Sequence, residues 1–512
     1  MQDSNSLKTK TMIGLFWSFT DLLANHGIQF VIQILLARLL LPEHFGVIGM
    51  ILIFIAISNS IVDSGFSQAL IRDQQTSQTD YSTVFYFNIM MAAVMYGILY
   101  FFTFPISNFF NEPQLIPILR VLSLVLIINS LGIIHKVMLI KNVDFKTIAK
   151  INVIAVLLSG SITISLAMMG YGVWSLVINT LSMQLIQTLL LWLFNKWVPS
   201  MAFNMQSFRK FYKFGYKLLI SGLLDTLYNN IYFVIIGRFY STTQLGFYTN
   251  AARISNMASQ SISATVQRVS YPILSSIQQD EIRLKSGFRK IIKTSAFINF
   301  PLMIGLVAIA PSLFTVLLGE KWMPSVVYFQ LLCIAGMLYP LHAINLNILQ
   351  VKGRSDLFLL IEITKKSVLT LLISVSLVLG QGIIGLIVAA LLSSYIALYI
   401  NTYFSAREID YSAKDQSKDL FPMLLLSIVM GVFVATIGSV LPVNHIMKLT
   451  IQIGIGIVVY IAGCKLARVQ ELETVYRILL VLVMKSRLMK HKNKKIVENK
   501  IVLENETIGG NK

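Results

Sequence analysis

The sequence predicts an all-α integral membrane protein with about 14 transmembrane helices, built as two parallel six-helix repeats plus two extra helices. Composition is the first observation behind this prediction. The 512 residues are 55% hydrophobic and only 13% charged, with a mean hydropathy of +0.72, whereas soluble domains are about one quarter charged. The second observation is a succession of apolar runs, each close to the roughly 20 residues that cross a bilayer as a helix. The third is an internal duplication.

The apolar runs are separated by clusters of Gly, Pro, Asn and charged residues, which mark helix ends. The first run, from about Met12 to Leu41, is much longer than the core of a signal peptide and lacks an A-x-A cleavage pattern, so we expect a retained helix. The predicted spans are residues 12–37, 46–70, 82–104, 116–138, 148–169, 172–194, 216–239, 247–271, 290–318, 325–349, 357–379, 382–404, 420–441 and 446–467. Short loops join them.

A charged segment follows the last predicted span. Its sequence QELETVYRILLVLVMKSRLMK contains an apolar run that is too short to cross a membrane. We therefore expect residues 469–512 to form an interfacial helix and a basic cytoplasmic tail, which is polar and disordered from about His491.

The positive charge of the chain indicates its orientation. Lys and Arg number 42 against 23 Asp and Glu, a net charge of +19, which in a soluble protein would suggest nucleic acid as a partner. Here the cations cluster in alternate loops, whereas the opposite loops, NEPQ, GYG, STTQ, EKWMP, GQG and LPVN, are nearly free of them. The positive-inside rule therefore predicts cytoplasmic N- and C-termini and no nucleic-acid partner.

The duplication appears when the chain is aligned with itself. VIQILLARLLLPEHFGVIGM (31–50) matches VIIGRFYSTTQLGFYTN (234–250) at an offset of 200, pairing Arg38 with Arg238 and Gly46 with Gly246. An even number of helices in each copy gives the copies the same orientation, so a pseudo-two-fold axis along the membrane normal relates them. The alternative is that the match reflects only the low complexity of apolar helices. The predicted domains are residues 1–200 and 201–410 as N- and C-terminal six-helix lobes, 411–468 as two additional transmembrane helices, and 469–512.

Polar residues follow one face of the helices that open each repeat. Because a polar side chain in hydrocarbon is costly, such stripes are expected to line a hydrated cavity. The candidate cavity residues are Asp21, Asn25, Gln29, Asp63, Asp225, Asn229, Arg253, Asn256 and Gln260. The competing interpretation is hydrogen bonding between helices, which we favour for Ser60 and Ser263 taken singly.

Individual charges and rings have their own alternatives. Arg253 is expected either to bind an anionic group or to pair with Asp225 or Asp63. Arg38 and Arg238 are expected to be duplicated structural anchors at the membrane interface. The five tryptophans, which lie near span ends, are predicted to be interfacial anchors: Trp17, Trp174, Trp192, Trp197 and Trp322.

Several classes of site are not predicted. The histidines are scattered over different segments and the two cysteines lie in apolar runs, so we predict no metal site and no disulfide. The sequence has no GxxxxGK[ST], GxSxG or HExxH motif and no large extramembrane loop. We therefore predict no cofactor and a protein that is not an enzyme.

A group of motifs resembles a known family. These are LARLLLPEHFGVIGM, DSGFSQALIR, LGFYTNAARI, VSYPILSSIQQD and PSLFTVLLGEKWMPSVVYFQLL. They are similar to bacterial polysaccharide flippases, more narrowly to the Wzx and colanic-acid-exporter-like branch of the multidrug/oligosaccharidyl-lipid/polysaccharide (MOP) superfamily. The similarity runs from about Lys8 to Ala406.

The resemblance implies two MATE-like lobes forming a V around a central cavity. It implies that an undecaprenyl-pyrophosphate-linked oligosaccharide crosses the bacterial inner membrane by alternating access, with Arg253 as a candidate ligand of the pyrophosphate. O-antigen, capsule or exopolysaccharide assembly would use the product, so membrane lipids, a polysaccharide polymerase and glycosyltransferases are the implied partners. Coupling to H⁺ or Na⁺ would use Asp21, Asp63 or Asp225. The alternatives are a cation-coupled multidrug exporter of the same superfamily and a non-transporting scaffold for a glycan synthase.

Overall fold

The fold is entirely helical in the part of the chain that the computed structural model describes, which comprises residues 17, 21 and 24–477. No strand occurs among these residues. Most of the predicted start of span 1, and the greater part of the predicted interfacial helix and tail from residue 478 onward, lie outside the described residues. The all-α prediction is confirmed.

Helix occurs in the described part of every predicted span. The helices are α1 (24–39), α2 (Pro42–Asp63), α3 (Phe66–Arg72), α4 (Gln78–Phe101), α5 (Thr103–Phe110), α6 (Leu115–Leu122), α7 (Leu124–Lys141), α8 (Phe145–Met168), α9 (Val173–Phe194), α10 (Met205–Phe239), α11 (Thr242–Ser276), α12 (Glu281–Leu317), α13 (Ser325–Gly336), α14 (Tyr339–Val351), α15 (Ser355–Val378), α16 (Gly382–Ile409), α17 (Ala413–Val440) and α18 (His445–Leu466). Residues 470–477 are also helical. A short 3-10 turn, Glu320–Trp322, precedes α13.

Eleven helical segments among the described residues are long and apolar enough to cross a membrane. Consecutive helices such as α2 and α3 or α6 and α7 together make one such segment. Neither α11 nor α15 is among them, since α11 carries the polar stripe predicted for span 8 and α15 contains charged residues. The chain is thus a multi-pass membrane protein, while the count of fourteen crossings stays a prediction.

Local sequence signals explain where these helices begin. Pro42 opens α2 at a position where its missing N–H is not needed. Ser77 caps α4 by accepting a 3.1 Å hydrogen bond from the Asp80 N–H, and the Asp80 carboxylate accepts one of 2.9 Å from the Ser77 N–H. Asn204 caps α10 through its side-chain oxygen. Each cap satisfies backbone donors that the first helical turn leaves free.

The chain divides into two compact units. Unit 1 comprises Met1–Met257, Leu313–Leu332 and Ile373–Val388, and unit 2 comprises Ala258–Ser312, Cys333–Leu372 and Ala389–Lys512. The predicted lobes at 1–200 and 201–410 remain predictions.

Unit 1 is held together by helices that pack around a buried aromatic and aliphatic cluster. Within it α2 packs against α10, α4 against α7, and α9 against both α7 and α8. The cluster includes Phe66, Leu70, Phe85, Val137 and Phe211, all nearly inaccessible to solvent. This packing fixes α2, α7, α8 and α9, which supply most of the side chains of the candidate site.

Unit 2 is tied together by ion pairs near the start of α12. The guanidinium of Arg289 donates to both carboxylate oxygens of Asp419 on α17, one of them at 2.6 Å. The Lys293 ammonium lies 2.7 Å from a carboxylate oxygen of Glu471, in the helical segment after α18. These pairs connect α12 with the helices at the end of the described chain.

Candidate functional site

A small polar cavity in unit 1 contains the cation that the sequence singles out. It has a volume of about 190 Å³ and is lined by residues of α1, α8, α9 and α11. Its polar lining includes Gln29, Asn179, Gln184, Gln187 and Arg253. We refer to it as the arginine cavity.

Arg253 faces this cavity without a counter-charge. Its side chain keeps accessible surface, as expected of a residue that lines a cavity. Within the described part of the chain Arg253 forms no hydrogen bond and no ion pair, and Asp63, one of the two predicted partners, instead accepts hydrogen bonds from Ser67. The guanidinium therefore retains its full set of N–H donors, an arrangement suited to a phosphate or carboxylate.

Residues of the span 1 stripe form the opposite wall. The Gln29 amide donates to Asn25 at 3.0 Å, and the buried Gln33 amide donates to Asn250 of α11 at 2.6 Å. The bond of Gln33 joins α1 to α11, the bond of Gln29 lies within α1, and together they fix the direction of both glutamine side chains. The stripe on span 1 thus serves both as cavity lining and as a contact between helices.

A second cavity lies beside the first in unit 1. It has a volume of about 320 Å³, and its polar lining consists of Asp63, Ser67, Asn129, Lys136, Asn152, Gln184 and Gln187. Most of the rest of its wall consists of isoleucine, valine and leucine side chains of α3, α7, α8 and α9. Because amides dominate the polar part, we refer to it as the amide cavity. Gln184 and Gln187 line both cavities.

Two chains of side-chain hydrogen bonds run outward from these shared glutamines. Gln187 donates to the Asn152 oxygen at 3.1 Å, and the Asn152 amide donates to both carboxylate oxygens of Asp21 at 3.1 Å. Gln184 donates to the Asn129 oxygen at 3.1 Å, and Asn129 donates to the Asn59 oxygen at 3.0 Å. The amide side chains are therefore oriented as a network.

The structure places only part of the predicted site around these cavities. Gln29 and Arg253 line the arginine cavity, Asp63 lines the amide cavity, and Asn25 and Asp21 hydrogen-bond to lining residues. The remaining candidates are exposed side chains that line neither cavity: Asp225, Asn229, Asn256 and Gln260. The roles of all nine residues stay predictions.

The amides of α7, α8 and α9 were not among the predicted site residues. Asn179, Gln184 and Gln187 share one face of α9, and Asn129 and Asn152 meet them from α7 and α8. Gln184 lies three residues before Gln187 and Asn179 lies eight before it, and both spacings place side chains on one side of a helix, so this spacing was the signal available. Ser60, by contrast, contacts Thr226 of α10 at 3.2 Å, which is the helix-to-helix role expected of it.

The duplicated arginines contact helix ends of the opposite repeat, all within unit 1. Arg38, at the end of α1, donates to the carbonyl oxygens of Val316 and Leu317, the latter at 2.8 Å. Arg238, at the end of α10, donates to the Phe109 carbonyl oxygen at 2.6 Å. We call these two reciprocal contacts the clasp. Cations stabilise helix C-termini, whose last carbonyl groups lack partners within the helix.

The segment that follows α12 adds to the clasp. The Lys321 ammonium donates to the carbonyl oxygens of Arg38 and Leu40, each at 2.8 Å, and burial lowers its pKa. The Trp322 ring is fully buried, donates to the Ala37 carbonyl oxygen at 2.8 Å and contacts Phe45. The prediction that Trp322 anchors the membrane interface is therefore wrong, because its ring packs inside the protein between helices of both repeats.

The second duplicated pair is a close crossing of helices. A Cβ at Gly46 of α2 would overlap the Thr242 carbonyl oxygen, and one at Gly246 of α11 would overlap the Pro42 carbonyl oxygen. Gly46 and Gly246 thus meet, and each lies against the first turn of the other helix. The contact joins two positions that the predicted duplication pairs, and the duplication itself stays a prediction.

Comparison with known proteins decides the family. Residues 35–327, more than half of the chain, match a family model described as a polysaccharide biosynthesis protein. The chain belongs to this family. The match includes both elements of the clasp and the whole arginine cavity except the start of its α1 wall. The resemblance seen in the sequence motifs is thereby confirmed.

Curated relatives of this polysaccharide biosynthesis family member come from several bacteria. The chain is 32% identical over 300 residues to the teichuronic acid biosynthesis protein TuaB of Bacillus subtilis. The match covers 58% of this chain and 62% of TuaB, which is less than two thirds of that protein. It is 25% identical over 402 residues to the lipopolysaccharide biosynthesis protein WzxC of Escherichia coli, covering 78% and 81%. It is 25% identical over 306 residues to the succinoglycan biosynthesis transport protein ExoT of Rhizobium meliloti, covering 60% and 62%.

A solved structure establishes the fold to which this family member is similar. The lipid II flippase MurJ, in an inward closed conformation, superposes with a TM-score of 0.72 at 15% sequence identity, covering 92% of this chain and 100% of MurJ. At this level of identity the likeness shows the fold alone. The predicted all-α membrane fold is thereby confirmed as one similar to that of MurJ.

Proposed function

We propose that this protein flips a lipid-linked oligosaccharide, carried on undecaprenyl pyrophosphate, across the bacterial inner membrane. The proposal is supported by the polysaccharide biosynthesis family and by relatives named for teichuronic acid, lipopolysaccharide and succinoglycan. The observation that carries it is an unpaired arginine, Arg253, facing a cavity walled by neutral amides inside a bundle of membrane helices.

Arg253 binds the pyrophosphate in this proposal. A guanidinium donates to two phosphate oxygens at once, and such charge-assisted bonds are stronger away from bulk water. The described residues that line this cavity include no carboxylate to compete with the ligand. The prenyl chain stays in the lipid while the polar head crosses, so no catalytic step is required and the protein acts as a transporter, not as an enzyme.

Alternating access gives the clasp a role. With the N-terminus in the cytoplasm, as the positive-inside rule predicts, Arg38 and Arg238 lie at the outer ends of α1 and α10. The clasp and the Gly46 to Gly246 crossing would then close the cavity on the outer side and separate when the head group leaves. The C-terminus is cytoplasmic in the same topology.

Ion coupling is proposed for the acids near the cavities. Asp21 receives the amide of Asn152, and Asp63 lines the amide cavity, so protonation or Na⁺ binding at either carboxylate would change the hydrogen-bond network next to the substrate. Asp225 is the third candidate.

The oligosaccharide would come from glycosyltransferases and pass to a polysaccharide polymerase.

A deletion strain without a redundant flippase tests the function. Loss of surface glycan, accumulation of lipid-linked oligosaccharide in the inner leaflet and unchanged drug susceptibility are the expected results. Normal glycan would contradict the proposal, and a selective rise in drug susceptibility would favour the multidrug exporter.

Complementation of that strain tests the site. Arg253→Gln is expected to restore little glycan at normal protein level, because the neutral side chain cannot hold the pyrophosphate. Arg283→Gln is the matched control, since Arg283 is exposed near the start of α12 and its ion pair among the described residues is with Asp280. Full activity of Arg253→Gln would refute substrate binding by Arg253 and would favour the scaffold alternative.

A further inference from the structure

We propose that the amide cavity is the binding site for the sugar adjacent to the pyrophosphate, and that Gln184 and Gln187 select it. The inference rests on the proposed function, because it assigns the part of the head group next to the anion. Its starting point is that these two glutamines line both the arginine cavity and the amide cavity. A pyrophosphate and the sugar bonded to it can therefore occupy the two cavities together.

The orientation of Gln187 is set by a chain that ends on a carboxylate. Asp21 accepts hydrogen bonds only, so Asn152 must turn its NH₂ group toward Asp21 and its oxygen toward Gln187. Gln187 in turn must present its NH₂ group to that oxygen. The Gln187 Oε1 atom is thus directed away from the chain, and it has no hydrogen-bond donor among the described residues.

Gln184 shows the same pattern one turn earlier in α9. Its NH₂ group donates to Asn129, whose own NH₂ group donates to Asn59. Its Oε1 atom likewise has no donor within the described chain. The wall between the two cavities therefore offers two oriented amides, each with a free acceptor and one remaining N–H donor.

This chemistry fits a sugar and not a second anion. Hydroxyl groups both donate and accept hydrogen bonds, so they match a neutral amide that does the same. The Asp63 carboxylate and the Lys136 ammonium in this lining offset each other in charge, so a second anion gains no net attraction, and the two free carbonyl oxygens would repel its phosphate oxygens. The aliphatic side chains of the cavity, such as Val137 and Leu191, suit the C–H faces of a pyranose ring.

The sizes of the cavities support the same division. The amide cavity, at about 320 Å³, falls within the range of small-molecule sites, roughly 300–1,000 Å³. The arginine cavity, at about 190 Å³, lies below that range and suits the smaller anionic group. The arginine cavity thus binds the pyrophosphate, which all substrates share, and the amide cavity binds the sugar, which varies between substrates.

Binding to synthetic short-chain probes tests this division. The probes are farnesyl pyrophosphate and its glucosyl, galactosyl, N-acetylglucosaminyl and N-acetylgalactosaminyl derivatives, titrated into the purified full-length protein in nanodiscs by calorimetry. We expect at least one sugar to improve the affinity over that of bare farnesyl pyrophosphate. Gln187→Leu and, independently, Gln184→Leu should each reduce the affinity advantage of that probe over bare farnesyl pyrophosphate by on the order of tenfold.

Controls separate this inference from the proposed function. Gln114→Leu, the same exchange at an exposed loop position, should leave every affinity unchanged, whereas Arg253→Gln should weaken all probes. If the bare and all four glycosylated probes bind the wild-type protein equally, or if both glutamine variants keep the sugar preference, the inference is overturned while pyrophosphate binding stands. If no probe binds, the proposed function fails as well.

Discussion

Replacing Gly246 by alanine should weaken the closed state of the clasp. The added methyl group would overlap the Pro42 carbonyl oxygen at the crossing of α2 and α11. Overpacking a tight contact costs about 1–3 kcal/mol. Alanine also favours a helix over glycine by about 1 kcal/mol, but this gain is the same whether the two helices touch or separate, so it cancels from the equilibrium between the closed and open states.

The overpacking penalty of Gly246→Ala affects only the closed state if α2 and α11 separate at the Gly46–Gly246 crossing when the protein opens. A penalty of about 1–3 kcal/mol then shifts the equilibrium toward the open state by roughly 5- to 150-fold, since 1.4 kcal/mol corresponds to a factor of ten. The same reasoning applies to Gly46→Ala, whose methyl group would overlap the Thr242 carbonyl oxygen.

Labelling of a cysteine in the arginine cavity measures the shift. Thr180 lines this cavity, and in Thr180→Cys a membrane-impermeant thiol reagent added to spheroplasts reports access from outside. The two native cysteines are buried and provide a low background. Gly246→Ala should raise the labelling rate, whereas Gly97→Ala, which places a methyl group in open space on α4, should not. Equal rates in the two variants would refute the role of the crossing as an outer closure.

Three further predictions concern contacts in unit 1. Arg38→Gln combined with Arg238→Gln should raise the same labelling rate, because helix-terminal carbonyl groups lose their cationic donors; an unchanged rate would contradict a closing role. Trp322→Phe should lower the free energy of unfolding by about 1–3 kcal/mol in detergent, since a buried carbonyl group loses its donor. Lys210 holds the pKa of Asp73 below its usual value, so Asp73→Asn should cost at most about 1 kcal/mol of stability near neutral pH. This contribution should disappear as the pH falls through the lowered pKa of Asp73, and a constant difference in Tm down to pH 2 would argue against it.

The positions of the membrane helices followed from the sequence because hydropathy and helix breakers are local signals. Helix occurs in every predicted span, and the breaks within spans also have local causes, as at Ser64 and Gly65, both with left-handed backbones between α2 and α3. Arg38 and Arg238 were likewise recognised as a duplicated pair.

Contacts between residues distant in the chain could not be predicted from such local signals. The acceptors of Arg38 lie 278 and 279 residues further along the chain, and no spacing rule connects such positions. Trp322 stands near a span end, a location equally compatible with a membrane interface and with packing between helices. The amides of α9 were not predicted to line a cavity, because neutral polar residues commonly join membrane helices through hydrogen bonds without lining one.

A single unpaired arginine among amides suits a carrier better than a strongly cationic pocket would. A transported head group must bind well enough to enter and weakly enough to leave, and several guanidinium groups at low dielectric would hold a pyrophosphate too tightly for release. Amides form directional hydrogen bonds and carry no net charge. They can therefore discriminate between sugars without strengthening the electrostatic attraction for the pyrophosphate. The net charge of +19 is therefore not evidence of a cationic cavity. In the lining of the arginine cavity Arg253 is the only cation among the described residues, and its removal should affect affinity for the pyrophosphate far more than the choice of sugar.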